Sequence, residues 1–412
     1  MFSFFRKINL NPFGMDISDA SIEVLQLKKK GGRKLVSAFG RVRLEQGIVE
    51  DGKILNKEKL AEKIKEAVST TKVDKLQTSR VILAIPESKT YVHIFKLPEA
   101  LSSLSKSFFQ DIVQAEIKKT IPLKFEDIYS DFQITPSSKE IRFIAVLKNV
   151  VDDYIEVLSS ANLEPIAFDM ESLSLARVLL KNCNEATVIM DTGARTTIVS
   201  IFDENGLRFA TNIAFAGNQF TQLISEKLKV SIEEAEKLKR DCGFDPRKEC
   251  GEILLILQSL FQLIIEETRR AFRYYQDQTQ RKIKKIILCG GSSLIPQLPE
   301  YLSDNLEIET KIGDPWVDID DRNLQTPEVL EFASKMSPIL YATVIGLALR
   351  GLEREPETAG INLMPKKEGR EPTFIGRKLN ESKTFNFLAT GLTMVAFVFL
   401  GWIIYTYIFK AF

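Results

Sequence analysis

GMDISDASIEVLQL (residues 14–27) and VIMDTGARTTIVSIF (residues 188–202) follow one plan. Each enters on apolar residues and reaches an aspartate, Asp16 or Asp191. A turn of small residues follows, then a hydroxyl residue (Ser21, Thr196), then an apolar-rich run. Apolar runs on both sides of such a turn predict strand–turn–strand hairpins. The spacing of 175 residues between the aspartates exceeds any stacked-repeat period and predicts two related lobes.

The chemistry of such hairpins is specific. Successive backbone N–H groups in a tight turn can converge on an anion, and hydroxyls add donors. An aspartate repels phosphate, but it can hold Mg2+ or its waters, and the metal then bridges to phosphate. Two hairpins face to face would clamp a polyphosphate; one alone reads rather as an ordinary hairpin with Asp at its turn. A third element, KIKKIILCGGSSLIPQLPEYL (282–302), is a β-branched run ending in Gly290-Gly291-Ser292-Ser293, with a helix expected from Leu294 or Pro296. Paired glycines let backbone approach a ligand closely, and a helix start adds partial positive charge. Within SIEEAEKLKRDCGF (231–244), Ser231 and Glu234 form a capping-box pattern and Gly243 a stop. Glu236 and Lys239 share a face of that helix; on their own they read as a solvated ion pair.

The chain has 412 residues, 44% apolar and 27% charged, enough for two lobes with real cores. Lys+Arg number 56 against 55 Asp+Glu, so no net field points to nucleic acid. Cys183, Cys242, Cys250 and Cys289 lack the spacing of a zinc site or a secreted disulfide framework, which predicts a reduced, cytoplasmic body. The single histidine, His93, lies in the strand-like TYVHIFKLP, where a structural role is expected. The aromatic N-terminus is too short and interrupted for a secretory signal.

Residues 385–409 carry no charge over 25 positions, longer than the ~20 that span a bilayer as helix. Trp402, Tyr405 and Tyr407 cluster at one end like an interfacial belt. Six Lys/Arg between residues 366 and 383 place the N-terminal body on the cytoplasmic side by the positive-inside rule.

Hairpin, second hairpin, E-x-x-K helix and GG-S-S turn occur in the order of the actin-like ATPases. Within them the chain resembles the PilM family of type IV pilus assembly proteins, with the FtsA family nearer than actin. The segments that carry the likeness are FGMDISDASIEVLQL, AEIKKTIPLKFEDIYSDF (115–132), FDMESLSLAR (168–177), IAFAGNQFTQLIS (213–225), AEKLKRDCG (235–243), LCGGSSLIPQL (288–298) and YATVIGLALRGLE (341–353). The resemblance implies an α/β fold: an actin-like two-lobed ATPase body over 1–352, with an inserted FtsA/PilM-type subdomain at 80–165 and a second lobe at 186–330. A basic linker at 353–384 and one C-terminal transmembrane helix at 385–409 follow.

The resemblance also implies ATP and Mg2+ as cofactors. Asp16, Ser18 and Ser21 would form the first phosphate loop; Asp191, Gly193, Ala194, Thr196 and Thr197 the second. Asp16 and Asp191 would hold the metal. Gly217 lies beside the second loop, Glu236 and Lys239 would flank ribose and base, and Gly290, Gly291 and Ser292 would pack on the adenosine. Asp169 and Glu171 are the candidates for positioning a water. Ser18 stands where the family's first loop has Gly, and Ala216 where relatives have the first of two glycines. A positive φ there would cost roughly 1 kcal/mol. At most a slow ATPase is expected.

GINLMPKKEGR (360–370) precedes the apolar run. In pilus systems of this kind PilM grips the I-N-L-L-P tail of the membrane protein PilN, so the C-terminus resembles the start of PilN joined to PilM. Pro365 forces Met364 into extended geometry; Ile361 and Leu363 then face one way and Asn362 the other. Such a docking segment (Ile361, Asn362, Leu363, Pro365) can add to a sheet edge or fill a groove, in its own chain or a neighbour's. The implied function is a membrane-anchored ATP-binding scaffold of the inner-membrane pilus platform. It would couple pilus motor ATPases to PilN/PilO-type proteins and is compatible with a homo-oligomer. The alternatives are a GspL-like type II secretion protein, an FtsA-like filament-forming tether, or a small-metabolite kinase relying on Asp169.

Overall fold

Two hairpins each seed a sheet, and the sheets share one topology. A computed structural model describes residues 11–96, 106–120, 123–135, 140–181, 184–248, 250–320 and 337–366. The expected span at 385–409, the linker beyond Lys366, Pro122 and Cys183 lie outside those residues. Among the described residues no helix is long and apolar enough to cross a membrane.

The first lobe opens with β1 (Phe13–Ile17), β2 (Ser21–Lys30) and β3 (Arg33–Arg43). The short pair β4 (Val49–Glu50) and β5 (Lys53–Ile54) follows, then α1 (Lys57–Ser69), β6 (Lys72–Val73) and β7 (Arg80–Ile85). The chain continues through β8 (Thr90–Lys96), α2 (Lys106–Thr120), β9 (Ile128–Thr135), β10 (Glu140–Leu147) and α3 (Lys148–Ser160). It returns with β11 (Glu164–Met170) and α4 (Glu171–Leu179). The second lobe holds β12 (Thr187–Thr192), β13 (Thr197–Asp203), β14 (Gly206–Ile213), α5 (Gly217–Leu228), α6 (Ile232–Cys242) and α7 (Gly251–Thr279). β15 (Lys285–Cys289), α8 (Leu298–Leu306) and β16 (Glu309–Ile312) complete it, and α9 (Ala342–Gly351) crosses back to the first lobe.

The first sheet runs β11-β7-β1-β2-β3-β6 and the second β14-β13-β12-β15-β16. In each, an antiparallel meander is extended by two parallel strands: β7 and β11 beside β1, β15 and β16 beside β12. Asp16 and Asp191 occupy the same place, the penultimate residue of the first strand. Each lobe has its own core: Phe13, Met15, Val24 and Leu83 are buried in one, and Val188, Met190, Phe220 and Phe261 in the other.

The inserted subdomain is smaller than the expected 80–165. It is the sheet β8-β10-β9 with α2, packed on Ile117, Ile141 and Phe143. β7 instead pairs with β1 and β11, and α3 packs on α1. Val81 to Ile85 are buried on both faces, the pattern of a covered parallel strand; nothing local assigns such a run to one sheet or another. Arg142 of β10 donates to the Asn205 and Leu207 carbonyls at 2.6 and 3.0 Å, and Glu140 pairs with Arg208. The insert is thereby fastened to the second lobe. His93 lies in β8, bonded to Thr120 Oγ1 at 3.3 Å and stacked on Phe95.

Ser231 caps α6 through the Glu234 amide, and Gly243, at φ +56°, ends it. The reversal from α6 to α7 joins Cys242 to Cys250 in a disulfide, while Cys289 is a buried free thiol. That pair corrects the expectation of unpaired cysteines: eight residues of separation match no motif, and the connection between the last residue of α6 and the residue before α7 brings the sulfurs together.

Asp169, at the end of β11, is wholly buried between Arg177 of α4 (2.8 Å) and Arg350 of α9 (3.0 Å). Arg350, also buried, donates to the carbonyls of Pro356 (2.8 Å) and Ile361 (2.6 Å). Removing one member of a buried ion set strands the others. Asp169→Ala is therefore expected to lower stability by about 3–5 kcal/mol in urea unfolding; a loss below about 1 kcal/mol, the worth of an exposed pair, would contradict the buried triad.

Candidate functional site

The two hairpin turns meet. Asp19, in the turn after β1, is 3.0 Å from Arg195, in the turn after β12. Asp19 also accepts the Asp51 and Gly52 amides at 2.9 and 3.2 Å. Beside these turns end the parallel strands β7 and β11, and the C-terminal edge of such strands is where open α/β sheets place ligands. Glu87 follows β7, and Glu171 begins α4 directly after β11. The two acids are reciprocally tied: Glu171 accepts the Glu87 amide (2.9 Å), and Glu87 accepts the Ser172 amide and hydroxyl (3.3 and 2.9 Å).

Four carboxyl groups thus gather with little to neutralise them. Burial pushes Asp16 up to about 8, with Glu23 and Asp191 adding repulsion. Burial raises Glu87 to about 7 against the Ser172 hydrogen bonds, and Asp191 to about 6 against the Cys289 thiol. Glu171 is driven well above its ordinary value by burial and then by Asp16. Asp16, Glu171 and Asp191 each keep part of their surface open, and no basic side chain among the described residues pairs with them.

The phosphate-loop candidates divide. Ser18 Oγ accepts the amides of Ala20 (3.3 Å) and Ser21 (3.1 Å), folding over its own turn. Ser21 is turned inward: its hydroxyl donates to Glu23 at 2.7 Å and accepts from Arg41 at 3.1 Å, and Arg41 pairs with Glu23 at 2.7 Å. In the second turn the Gly193 amide bonds Thr196 O, and Thr197 Oγ1 bonds Phe215 O. The amides of Ala194 and Arg195 have no protein acceptor among the described residues. Neither Ser18 nor Ala216 has a positive φ; Ala216 is extended at φ −164°. The strain that a non-glycine could impose is therefore absent.

Gly193, Gly217, Lys239 and Ser292 are brought together from four separate stretches. Gly193 O accepts the Gly217 amide (3.2 Å) and the Ser292 hydroxyl (3.1 Å). A Cβ on Gly217 would stand 2.7 Å from Ser292 Oγ, so the approach requires glycine. Gly290, at φ +79°, leaves no room for a Cβ beside Asp191 and Thr192, while Gly291 is exposed. Glu236 and Lys239 are not a solvated pair. Lys239 is buried, and its ammonium meets Glu236 (2.6 Å), Gly217 O (3.0 Å) and Thr221 Oγ1 (2.8 Å). Those contacts use all three of its donors, so it ties α6 to the start of α5. Asp169 is held by its arginines; of the two water-positioning candidates, Glu171 is the one whose carboxyl is raised by the charge of Asp16, after burial.

The segment after α9 folds onto its own body. Ile361 and Leu363 are buried, and Leu363 donates to Phe168 O at 2.9 Å. Asn362 Oδ1 accepts the Phe168 amide (3.0 Å), and its Nδ2 donates to Glu357 O (2.9 Å) and Ile166 O (3.3 Å). Asp131 of β9 accepts the Asn362 amide (2.9 Å) and pairs with Lys366 (3.1 Å). The segment therefore lies between the edge strand β11 and the insert, with Pro365 half-buried at its end.

Sequence reasoning missed Asp19, Glu23, Arg41, Glu87, Arg195 and Asp131. Asp19 and Arg195 sit inside the two quoted hairpins, but their pairing depends on how the lobes meet. Glu87 has no local signal.

Carboxyl groups raised on folding take up protons above the ordinary carboxylate range, so stability falls as pH rises through that window. With divalent cations chelated, the melting temperature is expected to drop from about pH 5.5 to about 8.5, less steeply in Asp16→Asn than in wild type. His93, lowered by burial, acts in the opposite sense near its ordinary value in both proteins. Parallel pH profiles for the two would contradict the raised Asp16.

Comparison with known proteins agrees with this architecture. A family model for type IV pilus assembly protein PilM matches residues 14–352. The cell division protein FtsA of Rhizobium meliloti is 30% identical over 152 residues, 31% of this chain and 34% of that protein. FtsA of Pseudomonas aeruginosa is 22% identical over 189 residues, 41% of this chain and 43% of that protein. The chain thus spans less than half the length of these curated relatives. Among solved structures, a PilM-PilN type IV pilus biogenesis complex aligns with a TM-score of 0.69 at 20% identity, over 84% of this chain and 99% of that one. Ethanolamine utilization protein EutJ from Carboxydothermus hydrogenoformans aligns with a TM-score of 0.50 at 14% identity, over 82% of this chain and 89% of that one. These two likenesses are of fold.

Proposed function

The chain belongs to the PilM family of type IV pilus assembly proteins, and on that premise we propose that it is a membrane-anchored, ATP-binding scaffold of a pilus assembly platform. The observation that carries the nucleotide reading is the meeting of the two hairpins over unneutralised carboxylates. Mg2+ fits these residues. No group of three His, Cys, Asp or Glu among the described residues forms a metal cage, and Mg2+ needs none: it takes one or two carboxylates, keeps waters and shares the phosphates. Asp16 and Asp191 would hold it, and the ion would offset the repulsion between those acids and the phosphate chain.

The free amides of Ala194 and Arg195 would receive phosphate oxygens, and Gly290, Gly291 and Ser292 would face the adenosine. Glu171 would hold a water beside Asp16. Calorimetry of ATP into the chain is expected to show uptake that needs Mg2+ and weakens about tenfold or more in Asp191→Asn, the loss of one charge-assisted contact. No uptake by wild type would end the nucleotide reading.

We infer further that residues 361–365 are the chain's own docking segment, and that the anchor is the charge-free run at 385–409. PilN-type proteins, PilO-type proteins and pilus motor ATPases are the proposed partners, in the inner membrane with the body cytoplasmic. A short tether holds the segment at an effective concentration of order mM, so a separate PilN-like tail would be excluded from the same groove. A labelled INLMP peptide should bind Leu363→Asp protein, whose own segment is expelled, and fail to bind wild type. Equal binding to both would show that the groove is not self-occupied.

A further inference from the structure

The Asp19–Arg195 pair joins the two turns between which a polyphosphate would lie, at 3.0 Å. We propose that Arg195 recognises the terminal phosphate of a nucleoside triphosphate, exchanging Asp19 for the phosphate when nucleotide enters. The proposal rests on the nucleotide reading above and adds to it a residue that discriminates triphosphate from diphosphate.

The case begins with donors that are already used. In the first turn the Ala20 and Ser21 amides are held by Ser18 Oγ, and the Ser21 hydroxyl is given to Glu23. Arg41 is held by Glu23, and Lys239 by Glu236, Thr221 and Gly217. The first hairpin therefore brings mainly negative charge to the cleft. Arg195 is the cation of the two turns: its side chain is 42% exposed and its only ion-pair partner among the described residues is Asp19.

The exchange leaves nothing stranded. Asp19 keeps the Asp51 and Gly52 amides after the guanidinium departs. The guanidinium gains a phosphate, which its planar fork can engage with two parallel hydrogen bonds. The position selects the terminal group. Gly217, Gly290 and Ser292 all belong to the second lobe. A base lying against them would run its phosphates along the second turn, from Gly193, which bonds Gly217 and Ser292, toward Arg195 and its partner Asp19. As it stands, the same pair latches one turn to the other.

The test is calorimetry of the full chain with Mg-ADP and with a Mg-bound non-hydrolysable triphosphate analogue. Wild type, Arg195→Ala, Arg195→Lys and Asp19→Asn are compared, each checked by circular dichroism. Wild type should prefer the triphosphate. Arg195→Ala should lose about tenfold or more of triphosphate affinity with Mg-ADP changed by less than about twofold, as expected for one charge-assisted contact. Arg195→Lys should recover part of the loss, since an ammonium keeps the charge without the fork. Asp19→Asn, which frees the guanidinium and removes a repelling charge, should tighten the triphosphate. Equal weakening of both nucleotides by Arg195→Ala, or no change in either, overturns the proposal while leaving nucleotide binding intact. A wild type that takes up neither nucleotide refutes the nucleotide reading itself, and this inference with it.

Discussion

A single buried carboxylate holds together parts of the chain that are distant in sequence. Asp169 closes the edge strand β11, and its two arginines come from α4 and α9. An ionised group in so dry a place persists only if it is paired and hydrogen-bonded. The arginines lower its pKa against the pull of burial. Arg177 also holds the Gly346 carbonyl of α9, and Arg350 holds the carbonyls of Pro356 and Ile361. The path of the chain after α9, and with it the seating of Asn362 and Leu363 on Phe168, follows from satisfying this one charge.

The same region adjoins the cleft from behind. Phe168 receives the C-terminal segment, Asp169 is paired, and Glu171 reaches the acids at the ends of the parallel strands. Within five residues the strand end passes from docking surface, through an internal ion set, to candidate site. The insert closes the other side: Asp131 meets Asn362 and Lys366, while Arg142 and Glu140 reach the second lobe. A segment in that groove therefore touches the first lobe and the insert at once, and the insert in turn touches the second lobe.

The cleft itself is organised by charge. Its floor is acidic, its first turn is closed on its own serine, and most nearby cations are already committed. Such a surface would repel a free anion and would suit one that arrives with a metal ion. The internal pairs Glu23–Arg41 and Glu236–Lys239 brace the turn and the helix without contributing charge to the opening.

Much of this was legible in the sequence, because the responsible signals are local. The paired hairpins, the capped helix starting after Ser231, the Gly290-Gly291 turn and the extended I-N-L segment each depend on side-chain pattern and backbone preference over a few residues. Their order led to the family that the chain belongs to, and the related sheets account for the 175-residue spacing. Other features had no local signature. The sheet that receives Val81–Ile85, the internal use of Lys239, the pairing of Asp169 with its arginines, the joining of Cys242 to Cys250, and the meeting of Asp19 with Arg195 all depend on which surfaces pack together. Charge and hydrophobicity in a sequence determine what each residue can pair with. Only the folded arrangement decides which partner lies within reach, because burial and distance, not residue type, set the strength of an electrostatic interaction.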